Sequence, residues 1–170
     1  AIAGLHERVR NRRLDFCHQT AHALTSEHGL VVVEDLRVQA MTASAKGTVE
    51  QPGRHVRQKA GLNRSILDKG WGQLRTTLEW HAHKNGCSVL AVPAAYTSQT
   101  CSVCGYIAAE SRESQADFCC VACGHQDNAD VNAARVILAA GLAASGRGGL
   151  GVGPPMKRQP PDREVACAAA

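Results

Sequence analysis

Two pairs of cysteines constrain this chain more than any other feature of its sequence. Cys101 and Cys104 enclose two residues, fifteen residues follow, and Cys120 and Cys123 enclose two more. Two CxxC turns about 15–20 residues apart are typical of four thiolates that hold one zinc ion. Four protein ligands close the coordination sphere of the ion. We therefore expect a structural rather than a catalytic zinc, in a zinc ribbon at residues 101–126.

The residues around the cysteine pairs support this assignment. A glycine, Gly105 or Gly124, directly follows each second cysteine, at the point where the backbone must curl behind the metal. Cys119 competes with Cys120 for the third position, but a CxxxC spacing to Cys123 suits a metal knuckle less well. A redox dithiol would explain one CxxC pair and leave the other unexplained.

Hydrophobic periodicity predicts an α/β fold. The pattern indicates helices at 5–28, 62–85 and 129–140, strands at 30–36 and 87–92, and a loop at 39–61. Glycine, alanine and proline dominate the end of the chain, so residues 142–170 are predicted to form a disordered tail. The chain begins at Ala1, within a predicted helix, and we therefore expect it to be a fragment of a longer protein.

Positive charge is concentrated in the first part of the chain. Residues 1–100 carry 13 Lys/Arg against 8 Asp/Glu, whereas residues 101–170 carry 6 against 7. Such a surplus favours contact with a polyanion such as nucleic acid, although a solvated basic face explains it as well. The candidate phosphate contacts are Arg54, Arg57, Lys59 and Arg64, with Lys69 and Arg75 further along.

Other residues of the first part have less specific interpretations. Trp71 and Trp80 are expected to pack in a core or an interface, with base stacking as the alternative. His81 and His83 are two residues apart on a predicted helix and point in different directions, so they are not expected to share a metal. The absence of a run of 18 apolar residues and of a secretory signal predicts a cytoplasmic protein without a membrane partner.

Acidic residues stand at the end of the first predicted strand. Glu34 and Asp35 follow a β-branched apolar run that we expect to be buried on both faces. Ligand sites of α/β proteins gather at the carboxyl ends of such strands. A carboxylate there needs a partner, and a divalent metal ion is a natural one. The alternative is a strand that simply runs out into solvent.

A second candidate acid begins the last predicted helix. Asp130 shares a helix face with the apolar Ala134 and Ile137, four and seven residues later. An acid on an apolar stripe suggests a function, such as metal binding. The alternative is that its negative charge stabilises the helix N-terminus.

Three segments together resemble the TnpB family of insertion-sequence proteins. They are residues 32–36 (VVEDL), 96–105 (YTSQTCSVCG) and 130–135 (DVNAAR), in this order, within a likeness from about residue 5 to 140. TnpB proteins are mobile-element proteins long described as transposases and are relatives of type V CRISPR effectors. Family members carry out RNA-guided DNA cleavage.

The resemblance implies an RNase H-like, RuvC-type fold and assigns roles to the candidate residues. Glu34 would be the second RuvC acid and Asp130 the third, both ligands of catalytic Mg²⁺ or Mn²⁺. The implied partners are DNA and a guide RNA. On this interpretation residues 1–100 form a partial RuvC-like core with the zinc ribbon inserted after it, and residues 127–141 form the last RuvC helix.

The sequence departs from the family pattern at one position that matters for catalysis. The first RuvC acid, an Asp on an early strand, has no counterpart here, because Asp15 lies in the middle of a predicted helix. We therefore expect the 170-residue chain alone to be inactive. The rival interpretation is a non-catalytic remnant or regulator that keeps the zinc ribbon and only binds nucleic acid.

Overall fold

The computed structural model describes residues 2–146 and confirms the α/β class. The elements are α1 (Ile2–Glu27), β1 (Leu30–Glu34), α2 (Val38–Met41), α3 (Val56–Asp68), α4 (Trp71–Asn85), β2 (Ser88–Val92), a 3₁₀ helix (Ala109–Ser111), β3 (Asp117–Cys119), β4 (Gln126–Asn128) and α5 (Ala129–Ala144). Within the described range, no helix is both long and apolar enough to cross a membrane.

The fold groups these elements into two compact units. The first comprises the chain up to Val31 together with Leu36–Val89, and the second comprises Val32–Asp35 together with the chain from Leu90 onward. Each of the strands β1 and β2 therefore begins in the first unit and ends in the second. The two strands pair as a sheet.

The first unit repeats a helix–strand arrangement. Helix α1 leads into β1, and α4 leads into β2, each through a short link that contains a glycine, Gly29 or Gly86. The backbone N–H of Ser88 donates to the carbonyl of Gly29 at one end of the strand pair, and that of Asp35 donates to Val92 at the other. Residue numbers rise together across these bonds, so β1 and β2 are parallel.

Helices α1 and α4 form the packed core of the first unit. Cys17, Ala21 and Thr25 are buried at intervals of four residues along α1, which places them on one face of the helix. Leu78 and Ala82 are buried at the same interval on α4. Most of these side chains are small, so the two helices can approach closely.

Several predicted boundaries are wrong. The predicted helix 62–85 is two helices, because Gly70 adopts φ 68°, a left-handed conformation that glycine accepts readily. The predicted loop 39–61 contains α2 and the start of α3. Strand β1 is half-buried along its length rather than buried on both faces. Helix α5 continues to Ala144, and the rest of the predicted tail, from residue 147, lies outside the described residues.

The second unit surrounds a small core next to the cysteines. Phe118, Cys101, Cys120 and Ala129 are buried together, with Cys104 and Tyr106 packed against them. Helix α5 also approaches β1 closely, because a Cβ atom placed on Gly141 would lie 2.5 Å from Cγ1 of Val32. The strand that carries Glu34 therefore packs on α5.

Candidate functional site

Two equivalent backbone knuckles present the four cysteines. In the first, the N–H of Gly105 donates to the carbonyl of Cys101 at 2.9 Å, and the N–H of Cys101 donates to Tyr106 at 2.9 Å. In the second, Gly124 donates to Cys120 at 2.8 Å and Cys120 donates to His125 at 2.9 Å. The two glycines have φ of 73° and 72°, so the predicted need for glycine behind each cysteine pair is confirmed.

The knuckles bring the four sulfur atoms into one cluster. The Sγ atoms of Cys101 and Cys123 lie 3.8 Å apart, and those of Cys104 and Cys120 lie 3.6 Å apart. All four ligand atoms lie within 4.8 Å of one another. A disulfide would bring two sulfurs to about 2.05 Å, so these pairs are not disulfides. The cluster can hold a metal ion.

Burial and hydrogen bonds shift the pKa values of these thiols in different directions. Burial raises the pKa of Cys101 and of Cys104. Burial also pushes the pKa of Cys120 upward, but hydrogen bonds from the backbone of Cys123 and Ala122, with those from neighbouring thiols, outweigh it and lower the pKa. Metal binding requires thiolates, so an ion would displace protons from Cys101 and Cys104.

A hairpin and a buried asparagine hold the cluster against α5. Strand β3 pairs with β4 antiparallel, with Phe118 opposite Asp127. The side chain of Asn132 on α5 is fully buried; it accepts from the N–H of Ser102 at 2.9 Å and donates to the carbonyl of Thr100 at 2.7 Å. These two bonds fix the first knuckle to the helix that carries Asp130.

Glu34 lies at the end of β1, where the sequence predicted it, and has a specific partner. The hydroxyl of Thr97 donates to Oε1 of Glu34 at 2.5 Å. Thr97 is itself 8% exposed and belongs to the turn that follows β2. The carboxylate is thus held in place from the turn that follows the second strand, while the backbone N–H of Asp35 continues the strand pairing by donating to Val92.

Asp130 lies in the first turn of α5 and faces solvent. Its side chain is 86% exposed, with Nη2 of Arg112 at 3.8 Å from Oδ1. Asn128 caps the helix, because its Oδ1 accepts from the N–H groups of Asp130 and Val131 at 3.0 and 3.2 Å. On the same helix face, Ala134 is exposed and Ile137 is half-buried.

The structure places both acids in the second unit with the cysteine cluster, although 95 residues separate Glu34 from Asp130 in the sequence. Each carboxylate has its own partner, Thr97 for the first and Arg112 for the second. Gly141, the residue of α5 that packs against Val32 of β1, comes eleven residues after Asp130, which is about 16 Å along the helix axis. A single site for both carboxylates stays a prediction.

The predicted phosphate contacts lie at and before the first turns of α3. Arg57 and Arg64 are exposed and seven residues apart, so they share one helix face over two turns. Within residues 2–146, the side chains of Arg54, Arg57 and Arg64 form no hydrogen bond or ion pair. Lys59 differs, because its Nζ donates to the carbonyl of Met41 at 2.5 Å. The side chains of these three arginines are therefore available to a ligand.

Sequence reasoning missed the roles of two side chains. The sequence does not connect Thr97 with Glu34, because the two residues are 63 positions apart. Asn132 was not singled out. A signal existed for Asn132, since a buried polar residue within an otherwise apolar helix needs local hydrogen-bond partners.

Two protein families match separate parts of the chain. Residues 1–45 match a family described as "Probable transposase" (OrfB_IS605), and residues 71–137 match "Cas12f1-like, TNB domain". The second match includes α4, the cysteine cluster and the first half of α5. The segments that suggested the TnpB resemblance thus fall largely within matched regions.

Similar curated proteins align with most of the chain. It is 49% identical over 168 residues to "Putative RNA-guided DNA endonuclease InsQ" of Escherichia coli (strain K12), which covers 98% of this chain and 42% of that protein. It is 34% identical over 148 residues to "Putative RNA-guided DNA endonuclease" of Streptomyces pristinaespiralis, covering 86% and 33%. The chain thus spans less than half the length of either relative.

The fold has a solved counterpart. A chain in the cryo-EM structure of the Cas12f1–sgRNA–target DNA complex matches with a TM-score of 0.56 at 22% identity, over 80% of this chain and 36% of that one. At this identity the likeness concerns the fold alone. Together with the sequence matches, which carry the assignment, it confirms the resemblance. The chain belongs to the TnpB family of insertion-sequence proteins.

Proposed function

We propose that this chain supplies a zinc ribbon and two catalytic acids to an RNA-guided, metal-dependent DNA endonuclease. The observation that carries the proposal is which segments of the chain make up the second unit. It brings the strand end with Glu34, the helix with Asp130 and the four-cysteine cluster together from distant parts of the sequence. The RuvC-like assignment of the acids rests on the family resemblance, with an RNase H-like core whose remaining strands lie in other parts of the protein.

The cysteine cluster has the dimensions of a zinc site. Thiolates bind zinc at about 2.3 Å, so two of them in a regular tetrahedron lie about 3.8 Å apart. The Sγ pairs of this chain lie 3.6 and 3.8 Å apart, which supports zinc at Cys101, Cys104, Cys120 and Cys123. Four thiolates leave no open position, so the ion would be structural. Elemental analysis of the purified chain should find one zinc per molecule.

The chemistry of the two acids suits a hard cation. Carboxylate oxygens are preferred ligands of Mg²⁺ and Mn²⁺, and two such ions, when bound, would activate water and stabilise the leaving oxygen of a phosphodiester. Glu34 would offer one oxygen while Thr97 holds the other. Asp130, at 86% exposure, keeps its carboxylate accessible and would exchange the distant contact with Arg112 for an ion.

The exposed arginines on and just before α3 support nucleic-acid binding. Arg54, Arg57 and Arg64 would contact phosphates. Each such contact releases counterions condensed on the nucleic-acid backbone, and the entropy of the released ions favours binding. Lys59, bonded to Met41, would instead fix α2 against α3 and contribute less. DNA and a guide RNA are the proposed ligands, on the strength of the relatives' names.

The activity is best tested in a chimera, since the chain spans 42% of the Escherichia coli relative. The remaining part of that relative would be joined to this chain and incubated with the relative's guide RNA and a matched DNA duplex. We expect guide-directed cleavage that requires Mg²⁺ or Mn²⁺ and stops on chelation. Cleavage without divalent ions, or none although the parent relative cleaves, would contradict the proposal.

One observation favours a second candidate, a module that binds nucleic acid without cleaving it. The guanidinium of Arg112 lies near Asp130 and attracts the carboxylate that a catalytic metal would need. In that case the chimera would bind guide and target as tightly as the parent relative and would leave the DNA intact. Restoration of cleavage by Arg112→Ala would identify the arginine as the cause.

A further inference from the structure

Three histidines meet where α1 packs against α4. His18 and His22 are one turn apart on α1, and His81 lies opposite them on α4. In the sequence, the nearest histidine to His81 is His83, which points in a different direction from the same helix. The partners of His81 come from the other helix, more than fifty residues earlier, and nothing in the proposed nuclease function uses them.

The nitrogen atoms of two of these rings are close enough to share one ion. Nδ1 of His18 lies 3.1 Å from Nε2 of His81. Imidazole nitrogens bind zinc at about 2.0–2.1 Å, so two on one tetrahedral ion lie about 3.3–3.4 Å apart. The observed separation is within a few tenths of an ångström of that value. Binding would therefore need little movement of either helix.

The third ring lies beside the pair but outside ligand distance. The centroid of His22 lies 5.7 Å from that of His81, and its Nδ1 is 3.5 Å from the hydroxyl of Ser26, a weak contact at an exposed position. In residues 2–146, the cysteines form the one set of three or more potential ligand atoms within 4.8 Å of each other. His22 must therefore rotate to join His18 and His81.

The surroundings of His81 favour the neutral form of its ring. Burial lowers the pKa of His81, and the neighbouring His18, His22 and Lys84 lower it further. Lys84 itself lies over the Trp80 ring, with its Nζ 4.2 Å from the ring centroid. A neutral imidazole offers a lone pair, whereas an imidazolium does not.

We propose that His18, His22 and His81 form a second metal site that binds a divalent transition-metal ion, such as Zn²⁺ or Co²⁺, and links α1 to α4. Imidazole ligands select such ions over Mg²⁺ or Ca²⁺, which prefer oxygen. The bound ion stabilises the helix pair of the first unit. Protons compete for the same nitrogens, so acidification favours release of the ion.

The test uses the full chain without an affinity histidine tag, loaded with one equivalent of zinc so that the cysteines are occupied. Co²⁺ is then added and followed by absorption spectroscopy and by the melting temperature. We expect one further equivalent of Co²⁺ to bind with nitrogen-type visible bands and without thiolate charge-transfer bands. The melting temperature should rise, and Mg²⁺ should have no such effect.

Matched variants locate the ion. His81→Gln should weaken Co²⁺ binding at least tenfold, whereas His83→Gln, on the same helix, should leave it unchanged. Circular dichroism confirms that both variants keep their helices, and His18→Gln provides an independent second loss. Absence of the second Co²⁺, retention of it in His81→Gln, or equal loss in His83→Gln would overturn the proposal and leave a hydrogen-bonded histidine pair.

Discussion

Replacement of Gly141 by alanine tests the packing of α5 on the strand that carries Glu34. The added Cβ would lie 2.5 Å from Cγ1 of Val32 and 3.0 Å from its Cβ. Overpacking of this kind costs about 1–3 kcal/mol, and contacts this short place it near the upper end. Alanine gains about 1 kcal/mol over glycine in a helix. The net loss in the free energy of unfolding should be about 2 kcal/mol.

Two other helical glycines provide the matched controls. A Cβ atom added to Gly61 in α3 or to Gly72 in α4 would meet no heavy atom within 4 Å, so alanine at either position should stabilise the chain by about 0.5–1 kcal/mol. Urea unfolding followed by circular dichroism measures all three variants. Val32→Ala should partly rescue Gly141→Ala in a double-mutant cycle. A stabilising Gly141→Ala, like the controls, would refute the close approach of α5 to β1.

Three further predictions concern the candidate sites. Cys120→Ser should abolish stoichiometric zinc binding and unfold residues 101–126, because zinc binding contributes on the order of 10–16 kcal/mol to such domains; elemental analysis and circular dichroism would show an unchanged zinc content and fold if this is wrong. Arg57→Ala and Arg64→Ala should each weaken nucleic-acid binding without changing sequence preference and reduce its salt dependence; an affinity that is flat between low and physiological salt in a filter-binding assay would contradict this. Thr97→Val in the chimera should raise the Mn²⁺ concentration needed for half-maximal cleavage, because the 2.5 Å bond to Glu34 is lost, and Thr97→Ser should restore it; an unchanged metal requirement would remove Thr97 from the site.

Local spacing was sufficient to predict the cysteine cluster. The CxxC pairs and their glycines determine the conformation of each knuckle. The interval between the pairs holds the 3₁₀ helix and β3, and the second pair lies in the turn between β3 and β4. Apolar runs likewise predicted β1, β2 and α5, because their residues carry the pattern themselves. The prediction failed at Gly70, where a continuous apolar periodicity concealed a left-handed residue that separates two helices.

Contacts between distant residues could not be predicted in the same way. The bond of Thr97 to Glu34 and the approach of His18 to His81 depend on how separate elements pack, which no single segment specifies. The exposure of Asp130 is a similar case. Its apolar neighbours in the helix pattern suggested a functional role on an apolar stripe, whereas the side chain is 86% exposed and the residues that α5 buries include Asn132 and Gly141.

The most direct test of the proposed function compares single-turnover DNA cleavage by the chimera with that of its Glu34→Gln and Asp130→Asn variants. Both changes are nearly isosteric and remove a metal-binding charge, so each should abolish cleavage while target binding stays within about twofold. This pattern follows because the loss falls on the transition state rather than on substrate binding. Cleavage by either variant at a rate close to that of the unsubstituted chimera would contradict the assignment of these two carboxylates as catalytic metal ligands.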